Sequence, residues 1–112
     1  MLRADKTITV RNLVADTAAD TECAVTTVLP GCSWYEQRAA SAGTGGLTAA
    51  TVVKVRIPAR LTAAYVLPEK YTGTGWTLRP GDTLQYGDRK VTVLLVRDSR
   101  DSVHPHIYVE AS

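Results

Sequence analysis

Thr83-Leu84-Gln85-Tyr86-Gly87-Asp88-Arg89-Lys90-Val91-Thr92-Val93-Leu94-Leu95-Val96-Arg97 is the stretch that decides the fold. Thr83 to Tyr86 reads as a strand, and Gly87-Asp88 as the turn of a hairpin. Lys90 to Arg97 reads as the returning strand, the longest in the chain. Its apolar residues form two sets, Val91, Val93 and Leu95 against Leu94 and Val96, which predicts burial on both faces. Val and Thr dominate the composition, Phe is absent and Met occurs once. β-Branched side chains lose rotamer freedom in a helix and pack well on a pleated surface, so the mixture favours strands.

The pattern extends in both directions. Upstream, Arg79-Pro80-Gly81-Asp82 is a turn in which Pro pre-sets φ and Gly supplies a positive φ. Downstream, Asp98 to Pro105 reads as a polar loop, and His106 to Ala111 as a closing strand with Ile107 and Val109 inward. Near the start, Thr7-Ile8-Thr9-Val10-Arg11 alternates apolar and polar, and Ala15 to Thr21 reads as a loop with at most one helical turn after Asp16. Glu22 to Leu29 and Cys32 to Ala40 are predicted to form a hairpin around Pro30-Gly31. Ser41 to Gly46 is the most flexible segment, leading to Thr51 to Ile57, where Val53, Val55 and Ile57 face one way and Lys54 and Arg56 the other. Pro58 ends that strand. The segment from Ala59 to Gly75 has no clean period. It reads as a loop tied down by Tyr65, Leu67, Tyr71 and Trp76, with a single turn at Pro68 to Tyr71. About six or seven short antiparallel strands with long loops predict an all-β barrel or sandwich, the barrel preferred because closure leaves no edges.

The chain has 112 residues, enough for one domain, 1–112, with one core. Thirteen basic against eleven acidic side chains give +2, too little for the concentrated basic face of a nucleic-acid binder. The first residues lack the apolar region of a secretory leader, and no apolar run reaches membrane-spanning length, so a soluble intracellular product is expected. Cys23 and Cys32 close a disulfide or stand as two thiols on neighbouring strands; the compartment favours thiols.

Residues suited to chemistry do not assemble into a motif. Gly43-Thr44-Gly45-Gly46 is followed by Leu47 rather than by the Lys-Ser/Thr of a phosphate loop. His104 and His106, with Asp98 and Asp101 nearby, fall short of the three or four convergent ligands of zinc. Ser41, Ser99 and Ser102 sit in no nucleophile elbow. Asp16, Asp20, Asp82, Asp88, Asp98 and Asp101 suit turns. No catalytic residue, cofactor site or metal site is expected, and the chain reads as a non-enzyme. Trp34, Tyr35 and Trp76 are the rings an oligonucleotide-binding barrel would use for stacking, which is the alternative reading.

Several short motifs resemble the head-tail connector proteins of tailed phages and prophages, also called head-completion or adaptor proteins. They are Trp34-Tyr35, Val55-Arg56-Ile57-Pro58, Trp76-Thr77-Leu78 with Gly81-Asp82, Val91 to Asp98 after the Gly87 turn, and Ile107-Tyr108-Val109-Glu110. The order of elements is also similar to that of small prophage proteins of gut Gram-positive bacteria. The likeness runs from Cys32 onwards; the first thirty residues and the Ala59–Gly75 insertion depart from it. It implies a structural virion protein acting at the head-tail junction or in tail completion, located in the virion and in the host bacterial cytoplasm. Its partners would be portal, tail tube or a neighbouring connector. It would be monomeric alone and a ring homo-oligomer on assembly, with Ala42–Thr48 and Ala59–Gly75 ordering then. Membrane and specific nucleic acid are not expected partners. Arg60, Tyr65, Tyr71, Arg97 and Arg100, beside the long loops, are the candidate interface residues.

Overall fold

The computed structural model describes residues 5–16, 21–43 and 46–112. Six strands form, β1 (Lys6–Asp16), β2 (Thr21–Gly43), β3 (Gly46–Pro58), β4 (Thr83–Tyr86), β5 (Arg89–Ser99) and β6 (His106–Ala111). Every neighbouring pair is antiparallel, and the order β1-β2-β3-β6-β5-β4 closes with β4 back on β1. The all-β expectation holds in its barrel form.

Alternation decides which side chains fill the barrel, because successive residues of a strand point to opposite faces. Ile8 and Val10 from β1, Val53, Val55 and Ile57 from β3, and Ile107, Val109 and Ala111 from β6 are fully buried. Leu29 and Cys32 from β2, with Leu84, Val91 and Val93, complete the wall, and Trp76 and Leu78 enter from the long β3–β4 connection.

The predicted hairpin at Pro30-Gly31 is instead a corner within one strand of 23 residues. Lys6 opposes Cys32 while Ile8 opposes Leu29, so β2 carries one extra residue at Pro30-Gly31. This is a β-bulge, and Gly31 at φ 87° supplies a bend that an L side chain resists. Before the corner β2 pairs with β1, and after it with β3. The two halves therefore never pair with each other. A Pro-Gly dipeptide marks a bend, and only tertiary partners decide whether the chain reverses or continues.

A second bulge corrects the expectation of two-sided burial in β5. Val93 opposes Ala111 and Leu95 opposes Glu110, so the extra residue lies on β5 at Leu94. Val91 and Val93 face inward before it, and Val96, packed against the core, does so after it. Leu94 and Leu95 are left 55% and 41% exposed. The two apolar sets were one inward face displaced by a register shift.

The segment read as flexible, Ser41 to Gly46, is paired backbone as far as Gly43 opposite Gly46, with Ser41 opposite Thr48 and Ala42 opposite Leu47. Thr44 and Gly45 lie outside the described residues, as do residues 17–20 of the predicted Ala15–Thr21 loop. Ala15 and Asp16 are strand, paired with Glu22 and Thr21. Ala59 to Gly75 holds its own order in the single chain. Short 3-10 turns form at Ala59–Leu61 and Pro68–Lys70, and Tyr65 bridges to Trp76. Val66 N donates to Trp76 O at 2.8 Å, and Trp76 N to Ala64 O at 3.1 Å. Cys23 and Cys32 are not bridged to each other; they sit on one strand rather than on two.

The chain spends much of its length outside the barrel. β6 begins its pairing with β3 at Val53, so the seven pairs from Gln37–Val52 to Gly43–Gly46 form a two-stranded arm, roughly 23 Å long. The radius of gyration is 15.4 Å, against about 13 Å for a compact chain of this length. The accessible surface is 7126 Å², against about 6000 Å². Both excesses fit an arm that projects.

Candidate functional site

A buried polar junction ties the β3–β4 connection to β1. Asn12 follows Ile8 and Val10 on the inward face and is fully buried. Its Oδ1 accepts from Thr77 N at 3.1 Å, and its Nδ2 donates to Thr77 O at 2.8 Å, the pairing a neighbouring strand would make. Nδ2 also donates to Asp82 Oδ2 at 2.9 Å. Asp82 is 6% exposed and accepts Arg79 N at 3.0 Å and Arg79 Nε at 3.1 Å, while Arg79 Nη2 reaches Leu13 O at 2.8 Å. The Arg79–Asp82 turn closes with Asp82 N on Arg79 O, with Gly81 at φ 99° as its sequence predicts. These bonds run between β1 and the β3–β4 connection, so the cluster is a brace.

The five candidate interface residues fall in separate places. Arg60 is exposed and lies over the β2 corner, Nη2 3.5 Å from Gly31 O. Tyr65 is half-buried, packed edge-on against Trp76 at 5.0 Å, with the Arg100 guanidinium 5.0 Å from its ring centre. Arg100 forks onto Asp98 at 2.7 and 2.9 Å, which holds that carboxyl below the usual range. Tyr71 is half-buried with Arg79 at 5.4 Å from its ring, and burial pushes its phenol up. Arg97 is exposed and lies 6.0 Å from the Tyr108 ring. Thus Tyr65 and Arg100 meet, whereas Arg60, Tyr71 and Arg97 each stand elsewhere.

Three surface regions offer contact area. The exposed Leu94 and Leu95, with Tyr65, Pro68 and Pro80, border an apolar depression of about 360 Å³. Trp34 packs on Tyr86 at 5.5 Å beside the Arg89–Glu36 ion pair of 2.8 Å, whose hydrogen bond lowers the Glu36 carboxyl. The third is the outward face of β3, β6 and β5, with Lys54, Arg56, Arg97 and Tyr108. Sequence reasoning missed Asn12 and the Lys54–Arg56–Tyr108 grouping. The outward phase of Lys54 and Arg56 was readable, but their neighbours on β6 were not.

Two of the residues weighed for chemistry bond the backbone of the β5–β6 loop. His106 Nδ1 donates to His104 O at 2.6 Å, and Ser102 Oγ bonds Ser99 O at 2.7 Å. Among the described residues, no three His, Cys, Asp or Glu side chains gather as metal ligands. Trp76 is 1% exposed within the core and so is closed to a stacking base, leaving Trp34 and Tyr35 of the three rings. Cys32 donates to Leu29 O, and burial pushes its thiol up to about 11 against a smaller lowering by Arg60. Among the described residues, no helix is long and apolar enough to cross a membrane.

Residues 3–112 match the model of a family described as "Family of unknown function (DUF6751)". No curated protein matches the chain.

Proposed function

The chain belongs to the DUF6751 family. We propose that it is a structural phage or prophage protein of the head-tail junction or of tail completion, acting by assembly rather than catalysis. The observation that carries this reading is the distribution of chain between barrel and arm. A closed barrel of six strands is already filled by its own side chains, yet β2 and β3 run on as an arm whose two outer edges pair with no other strand among the described residues. Exposed strand edges are liabilities that proteins cover, and a neighbouring subunit is one cover. A ring built from repeated heterologous contacts gives every arm the same neighbour. The exposed Leu94 and Leu95 add apolar contact area.

The purified chain, mixed with the portal or tail-tube protein of the same phage, should form rings visible by electron microscopy. Joining Gln37 to Val52 through Asn-Gly removes the arm at an opposed pair, where a two-residue turn closes a hairpin. That variant should keep the barrel's strand-type circular dichroism and lose ring formation. Rings that persist without the arm, or a complete chain that co-assembles with neither partner, would remove the proposal.

A further inference from the structure

The outward face of β3, β6 and β5 holds an arrangement for which the barrel has no internal use. Register sets Arg56 and Arg97 on either side of Tyr108, and Lys54 beside Glu110. Lys54 and Arg56 alternate with fully buried Val53, Val55 and Ile57, so both cations point outward. Strand spacing puts the backbones of Arg56 and Arg97 roughly 10 Å apart, and Lys54 and Arg56 roughly 6.7 Å apart. With His106 and Ser99 they border an open depression of about 400 Å³. Glu110, the acid on this face, is already engaged by the Tyr108 hydroxyl at 2.7 Å. Lys54, Arg56 and Arg97 take part in none of the ion pairs among the described residues.

Three cations against one carboxylate leave this face net positive and select an anionic partner, and the geometry selects which kind. A nucleic acid strand would want an open ring on which to stack a base. Tyr108 is half-buried, its hydroxyl is tied, and Arg97 lies 6.0 Å from its ring. An extended peptide, by contrast, repeats its side chains on one face every ~6.7 Å, the spacing of Lys54 and Arg56. We propose that this face binds an extended acidic segment of a partner protein. Carboxylates at alternate positions meet Lys54 and Arg56, and Arg97 takes a flanking carboxylate through its guanidinium fork. The inference goes beyond the virion role and does not depend on it.

The test titrates the complete chain at low salt with two synthetic peptides of identical composition, one alternating Glu with Thr and one with its Glu residues in a block. A single-stranded oligonucleotide of equal charge is the third probe. Amide NMR shifts should gather at Lys54, Arg56, Arg97 and Tyr108 with the alternating peptide, and the block peptide should bind about fivefold more weakly. Combining Arg56→Glu with Arg97→Glu should weaken the alternating peptide about tenfold or more. Equal affinity for both peptides, tighter binding of the oligonucleotide, or shifts elsewhere would overturn the proposal, and these comparisons need only the unaltered chain. Failure of ring assembly would leave all three readings unchanged, so the two proposals fail separately.

Discussion

Around Asp82 and around Tyr108 the barrel sets an arginine against a tyrosine, and the two places differ in what each charge has to bond. At the first, Arg79 lies over Tyr71 and spends its hydrogen bonds on Asp82 and the Leu13 carbonyl. Asp82 in turn satisfies Asn12 inside the molecule. At the second, Arg97 lies over Tyr108 with no carboxylate paired to it among the described residues, and Arg56 stands on the ring's other flank in the same condition. Charge near the core must be neutralised, because an unpaired buried group costs its full desolvation. Charge on an outer sheet face is under no such demand, so leaving it unpaired costs the fold little and keeps it free for a partner.

The hardest test of that contrast is to remove the buried acceptor. Asp82→Ala leaves Asn12 Nδ2 with Thr77 O alone and the Arg79 guanidinium with Leu13 O alone, and should lower unfolding free energy by about 2 kcal/mol. Urea denaturation should show the midpoint falling at an unchanged m-value. A loss below about 1 kcal/mol would mean the junction braces nothing.

A pH ramp sharpens the same comparison, since the interior should also refuse a charge made in place. The Cys32 thiol ionises at about 11 in the folded chain, against an ordinary value of 9.0. A folded value raised above the unfolded one contributes stability that is complete below pH 9.0 and is lost as pH climbs towards 11. The loss should approach about 2 kcal/mol, and Cys32→Ala should flatten that part of the stability–pH curve. An unchanged slope in the variant would assign the alkaline loss to other groups.

The smallest effect is expected on the outer face. Arg56→Ala combined with Arg97→Ala should move stability by no more than about 0.5 kcal/mol. A larger loss would make the outer row a brace like the inner one and erase the distinction between them.

Local pattern carried far in this chain. The inward phases of β1, β3 and β6, the Gly87 hairpin and the Arg79–Asp82 turn follow from alternation and turn chemistry, which act over a few residues. Pro30-Gly31 and Leu94-Leu95 resisted the same reasoning. Each marks a bulge, and a bulge is defined by the register of a partner strand that is distant in sequence. The contact surfaces were less readable for the same reason. Lys54 and Arg56 show their outward phase in the chain, but Tyr108 and Arg97 reach them only across β6 and β5.

By itself, then, the order of residues determined strand chemistry, most inward faces and the main turns, because these depend on neighbours two to four positions away. Closure of the barrel, the continuation of β2 past its corner, the Asn12–Asp82 brace and the cationic row were decided by the tertiary structure. The physical reason is common to all four. Each rests on hydrogen bonds or side-chain neighbours drawn from far along the chain, and long-range pairing is settled only when the strands find their register.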